Sequence, residues 1–188
     1  MTIAEALKEA GYTTGLVGKW GLGDGVDSPG HPNRQGFDLF FGYLNQQHAH
    51  NHFPDFLWRD YERIALPNVI KPVGTTGAGY ATQRVKYAGD LFNEEALAFV
   101  ERNRARPFFL YLSVVVPHAN NERTRELHDG QEVPDYGEYA GTDWSPPTKG
   151  QAAMITRLDA DVGRLLAKLR ALKLDNTLVL FSSDNGPH

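Results

Sequence analysis

The feature that most constrains this chain is an alternation. Three apolar runs, each the length of a single strand, are separated by segments whose apolar residues recur at helical spacing. The runs are Thr13-Thr14-Gly15-Leu16-Val17-Gly18-Lys19-Trp20, Phe108-Phe109-Leu110-Tyr111-Leu112-Ser113-Val114-Val115-Val116, and 176–183 with Thr177-Leu178-Val179-Leu180-Phe181 at its centre. Near-continuous apolar strands are buried on both faces, and such strands belong to parallel sheets whose crossovers are helices. The first helical segment has Ile3, Ala6, Leu7 and Ala10 on one face, with Thr2 and Glu5 spaced as a capping box and Gly11 as a stop. The second runs from about Ala81 to Arg104 through Val85, Ala88, Leu91, Phe92, Ala96, Phe99 and Val100. The third runs from Gln151 to Leu172 through Met154, Ile155, Leu158, Val162, Leu165, Leu166 and Leu169. Helix then strand, three times over, predicts an α/β fold: a mainly parallel sheet flanked by helices on both faces.

Residues 24 to 80 and 119 to 150 have weak periodicity and much Gly, Pro and Asn. They read as long, ordered connections, because Phe37, Phe40, Phe41, Tyr43, Phe53, Phe56 and Trp58 supply packing surface that a disordered segment lacks.

Composition acts mainly by exclusion. With 188 residues, 41% of them hydrophobic, the chain can build one sizeable core. A net charge of -4, from 19 basic and 23 acidic residues, predicts neither a nucleic-acid nor an anionic-membrane partner. With no cysteine there is no disulfide, thiolate metal site or cysteine nucleophile within these residues. No stretch approaches the ~20 apolar residues of a membrane span. Met1-Thr2-Ile3-Ala4-Glu5 lacks the basic and apolar regions of a signal peptide.

If the strands are parallel, their carboxyl ends share one edge, the edge at which open α/β sheets bind ligands. The first run ends at Lys19, the second at His118, and the third enters Ser182-Ser183-Asp184-Asn185-Gly186-Pro187-His188. Singly, each has a structural reading: Lys19 as a solvated charge, Trp20 as core, His118 as a loop histidine, Asp184-Asn185-Gly186 as a turn. Their recurrence at three successive strand ends favours chemistry. One carboxylate and one amide oxygen suit Ca²⁺ or Mg²⁺. A point cation, a titratable imidazole and a metal are the parts that hydrolysis of a sulfate or phosphate ester uses.

A second cluster is Gln46-Gln47-His48-Ala49-His50-Asn51-His52. In an extended segment His48, His50 and His52 share one face, which can bind a transition metal or meet carbohydrate hydroxyls beside Tyr43, Phe53, Phe56 and Trp58. Core packing accounts for most of those aromatics. Asn120-Asn121-Glu122-Arg123, directly after His118, can line a substrate pocket.

Taken together, the motifs resemble the type I sulfatases (arylsulfatase-like hydrolases) of the alkaline phosphatase superfamily. The matching segments are residues 4–14, Gly18-Lys19-Trp20-Gly21-Leu22-Gly23, Pro107-Phe108-Phe109-Leu110-Tyr111, Pro117-His118 and Phe181-Ser182-Ser183-Asp184-Asn185-Gly186-Pro187, in family order from end to end. The resemblance implies an alkaline phosphatase-like fold and hydrolysis of carbohydrate or aryl sulfate esters. It implies Lys19 and His118 as catalytic groups on the sulfate and the leaving-group oxygen. It implies Asp184 and Asn185 as metal ligands, for Ca²⁺ with Mg²⁺ as the second choice. His48, His50 and His188 are the candidate substrate-binding imidazoles. The family's nucleophile is a formylglycine made from Cys or Ser in a Cys/Ser-x-Pro/Ala-x-Arg motif. No residue here matches that motif, so the resemblance places it upstream of Met1, together with the first acidic metal-binding pair, and a second active-site Lys beyond His188. Gly21 stands where the family often has His. Residues 1–188 therefore read as one partial catalytic domain, truncated at both ends, inactive and marginally stable by itself. Periplasmic or secreted location follows from the resemblance alone. The alternatives are a phosphodiesterase or phosphonate hydrolase of the same superfamily, or a non-catalytic remnant.

Overall fold

A computed structural model describes residues 1–183. Asp184, Asn185 and His188 lie outside the described residues. The chain opens with α1 (Ile3–Glu9), whose start is the expected capping box: the Glu5 amide donates to Thr2 Oγ1 at 3.1 Å and the Thr2 amide to Glu5 Oε2 at 2.6 Å. It leads to β1 (Thr13–Lys19), the centre of a five-stranded sheet. On one side β1 pairs in parallel with β7 (Phe108–Ser113). On the other it pairs in parallel with β2 (Leu39–Tyr43), followed by antiparallel β3 (Phe56–Arg59) and β4 (Glu62–Ala65). The order is β4-β3-β2-β1-β7, with β3 alone reversed.

Neighbouring residues of each central strand point to opposite faces, and each face has its own core. Val17, Phe41 and Leu57 pack with Ala88 and Phe92 of α3 (Ala88–Asn103). Leu16, Phe40, Phe37 and Leu44 pack with Ala4 of α1. The predicted two-faced sheet is therefore present. All of the aromatics between 37 and 56 named above are at least nine-tenths buried, with Phe40 and Tyr43 at 0% and 1% exposure. Trp20 is half-buried against the α1-side core, its indole N–H donating to Gly30 O at 2.7 Å.

Four expectations need correction. The stretch 24–80 is not mere connection: it supplies β2, β3, β4 and a separate hairpin of β5 (Val69–Pro72) and β6 (Gly79–Gln83). That hairpin occupies residues assigned to the second helix, so α3 starts at Ala88 and not near Ala81. The third helix, α5 (Pro146–Ala171), starts five residues earlier than expected, because Pro sits at the first turn behind the Ser145 cap, whose Oγ accepts from the Thr148 amide. It packs on α3 rather than on the sheet, so of its predicted apolar face Met154 and Leu169 are buried while Ile155 stays half-exposed.

The fourth concerns the third run. Residues 176–183 form no strand in this structure. Leu178, Leu180 and Phe181 are 83%, 84% and 73% exposed. A strand needs a sheet edge to take its backbone donors and acceptors. β4 and β7 are the edge strands, and the run pairs with neither.

Candidate active site

The carboxyl ends of β1, β2 and β7 lie side by side because these three strands are parallel and adjacent. Lys19 closes β1, opposite Tyr43 in the register of β2. The backbone reaches this point through two close approaches. Gly18 has φ +115°, and a Cβ there would lie 2.0 Å from Ser113 O; Gly42 beside it would meet Gly18 O at 1.8 Å. The strands before Lys19 therefore accept only glycine.

Beyond β2, Asn45 caps α2 (Gln46–Ala49), its side-chain oxygen accepting from the His48 amide at 2.8 Å. This helical turn overturns the expectation that three alternating histidines share a face, which holds only for extended chain. His48 points into the core at 0% exposure, edge-on to Tyr43 and against Phe56, with neither ring nitrogen hydrogen-bonded. Burial lowers its pKa to about 3, so it is neutral. It does not face substrate in this structure. His52 is also buried; its Nε2–H donates to the His118 carbonyl at 2.8 Å, and burial lowers its pKa to about 4.

His50 goes the other way. Its Nδ1 lies 3.1 Å from Glu122 Oε2 and 3.3 Å from Oε1, and the Asn121 side-chain Nδ2 is 3.5 Å from its Nε2. Its ring stacks on that of His118, with centroids 5.2 Å apart and planes 5° apart. Desolvation lowers the pKa of His50; Glu122 opposes that shift, while His118 and Lys19 add to it. Lys19 is thus within electrostatic reach of His50, and His50 touches His118, so the two predicted catalytic groups share a neighbourhood. His118 follows β7 in a turn closed by its own amide donating to Val115 O at 3.1 Å. Its Nδ1 lies 2.6 Å from Ala119 O. A carbonyl only accepts, so Nδ1 carries the proton and Nε2 is left as the proton-accepting nitrogen.

Of the four residues after Ala119, two face this cluster and two do not. Asn121 and Glu122 belong to α4 (Asn121–Leu127) and reach His50. Asn120 caps α4 and donates to Gly79 O and to fully buried Glu132. Arg123 pairs with Asp129. The sequence offered Glu122 only as one of four residues that can line a substrate pocket; its pairing with His50 depends on the tertiary structure. Gly21, at φ +125°, lies against Gln46, whose Cγ would sit 3.2 Å from an added Cβ. Two surface hollows elsewhere are lined by Gln131, Pro147, Gln151 and Ile155, and by Tyr136, Tyr139 and Arg157; neither includes a strand-end residue.

Among the described residues no group of three or more His, Cys, Asp or Glu side chains could hold a metal. No described helix is long and apolar enough to cross a membrane.

The carboxyl edge of the sheet thus carries a lysine, and beyond it lie two stacked imidazoles and a buried carboxylate. The chain belongs to the sulfatase family, whose model, described as Sulfatase, matches residues 1–188. It is 32% identical to N-acetylgalactosamine-6-sulfatase of Canis lupus familiaris over 194 residues, covering 98% of this chain and 32% of that protein. It is 31% identical to arylsulfatase G of Mus musculus over 213 residues, covering 99% of this chain and 35% of that protein. The chain thus spans about a third of the length of these relatives. Among solved structures it is similar to Ps i-CgsB in complex with k-i-k-neocarrahexaose, with TM-score 0.64 and 24% identity over 91% of this chain and 36% of that one. It is also similar to a sulfatase from a Bacteroides thetaiotaomicron locus for glycosaminoglycan metabolism, with TM-score 0.61 and 24% identity over 93% of this chain and 42% of that one. These two likenesses show the fold.

Proposed function

We propose that these residues form the central part of a sulfuric ester hydrolase acting on sulfate esters of carbohydrates or aryl compounds. The observation that carries the reading is the stack of His118 on His50 beyond the carboxyl ends of parallel strands, one of which ends at Lys19, in a chain of the sulfatase family. The relative named N-acetylgalactosamine-6-sulfatase supports a glycan ester, and the relative named arylsulfatase G supports an aryl one. The phosphodiesterase alternative has no such support.

The roles follow from chemistry. The Lys19 ammonium offsets charge on the sulfate oxygens, an effect that grows as water is excluded. His118, with Nδ1–H held by Ala119 O, handles a proton at Nε2 beside the leaving-group oxygen. Asp184 and Asn185 fit Ca²⁺ by donor type but supply two of the six to eight oxygens it takes, so the remaining ligands come from elsewhere in the enzyme. Ca²⁺, when bound, would supply positive charge to the sulfate, and the nucleophile would come from a formylglycine outside residues 1–188. Periplasmic or secreted location belongs to the same proposal.

The test is hydrolysis by the full-length enzyme of 6-sulfated N-acetylgalactosamine oligosaccharides, an aryl sulfate and a phosphate diester, with Lys19→Ala and His118→Ala. Sulfate release that falls at least about 100-fold in each variant supports the reading. Phosphate diester turnover without sulfate release would overturn it.

A further inference from the structure

The stacked imidazoles do not need each other for packing alone. His50 is only half-buried, yet its orientation is fully specified: Glu122 accepts from Nδ1, Asn121 approaches Nε2, and the ring face lies flat on His118. Glu122 is itself buried at 9% exposure and has no cation other than this imidazole to pair with among the described ion pairs. Placing a carboxylate there costs desolvation, which the His50 N–H and the N-terminal turn of α4 offset. His118 is likewise held twice, by its Nδ1 on Ala119 O and by His52 on its own carbonyl.

We propose that His50, held by Glu122, is the positioning residue for His118: the carboxylate fixes the plane and tautomer of His50, and the parallel stack fixes the plane of the imidazole that moves the proton. The inference rests on the reading that His118 handles the leaving-group proton. The chemistry is that of a carboxylate–imidazole pair in which the carboxylate selects the tautomer. Here the pair acts on a second imidazole through ring contact, so Glu122 is two steps from substrate.

The first readout needs no activity. In the ¹⁵N-labelled chain, imidazole ¹⁵N–¹H spectra are expected to show His50 and His118 both protonated at Nδ1. Glu122→Ala should leave His50 as a mixture of tautomers, and Glu122→Gln, which keeps an oxygen acceptor, should restore its Nδ1–H form. His50→Ala and Glu122→Ala should both move the His118 ring-proton shifts, because the ring stacked on it is lost or turned. His118 ring shifts unchanged in both variants would overturn the inference. If His50→Ala does not fold, the two Glu122 variants decide.

The second readout is kinetic, in the full-length enzyme. His50→Ala and Glu122→Ala should lower kcat about 10- to 100-fold with KM within about twofold, and Glu122→Gln should recover most of that loss. If His118→Ala abolishes sulfate release while the His50 and Glu122 variants match wild type, the positioning role falls and the sulfatase reading stands. If wild type releases no sulfate, that reading falls, and the imidazole spectra still decide the positioning.

Discussion

Replacing Gly18 by alanine tests whether the close approach of β1, β2 and β7 is what builds the site. Gly18 has φ +115°, a region that costs an L-residue about 1–3 kcal/mol. The added Cβ would lie 2.0 Å from Ser113 O and 2.6 Å from Ser113 C, both backbone atoms of the neighbouring strand. Backbone cannot swing aside as a side chain does, so the strands must separate, and overpacking of this kind costs a further ~1–3 kcal/mol. The sum is about 2–6 kcal/mol, a large share of the stability of many domains. For a chain of this size that is a fall in melting temperature of about 4–24 °C. Two glycines serve as controls. At Gly15 the added Cβ meets the Phe99 ring at 2.6 Å, without positive φ, so Gly15→Ala should cost about 1–2 kcal/mol. Gly163, in α5, has nothing within 4 Å, so Gly163→Ala should be neutral or stabilise by up to about 1 kcal/mol. Urea unfolding followed by circular dichroism ranks the three. A Gly18→Ala chain within 1 kcal/mol of wild type would refute the argument that only glycine fits beside Lys19.

Stability should fall as pH drops below about 6.5. His48 and His52 are buried neutral with pKa lowered to about 3 and about 4, so the unfolded chain binds protons that the folded chain refuses. Each histidine then costs about 1.4 kcal/mol per pH unit between its unfolded and folded values, so the urea midpoint should decline steeply from pH 7 to 5; a flat profile would contradict their burial. The exposed Leu178, Leu180 and Phe181, together with the open edge of β7, predict concentration-dependent association, measurable by sedimentation velocity and reduced by Leu180→Lys. A monodisperse monomer across concentration would count against it. Residues 1–188 by themselves should release no sulfate, since neither a nucleophile nor a full ligand set is among them; measurable turnover would sink the partial-domain reading.

Much of the fold was legible because its signals are local. The Thr2–Glu5 capping box, the runs at 13–19 and 108–113, and the periodicity of α3 and α5 each lie within a window of contiguous residues. So does the Gly-Lys-Trp segment with its Lys19. What the sequence could not disclose depends on residues far apart in it. β2 to β6 are short and lie among Gly, Pro and Asn, and they exist because β1 and their own hairpin partners take their hydrogen bonds. The apolar run at 177–181 shows the converse: strand propensity alone makes no strand when no edge accepts it. The histidines make the same point at the site. Alternation suggested one shared face, yet the Asn45 cap turns the segment into a helix that buries His48 and sends His50 outward. The stack of His50 on His118 spans 68 positions, and Glu122 reaches His50 across 72. Sequence by itself determined the layers, the strand-end lysine and histidine, and the family. Only the tertiary structure decided which imidazoles meet, because ring contact and carboxylate pairing follow from distances that packing sets.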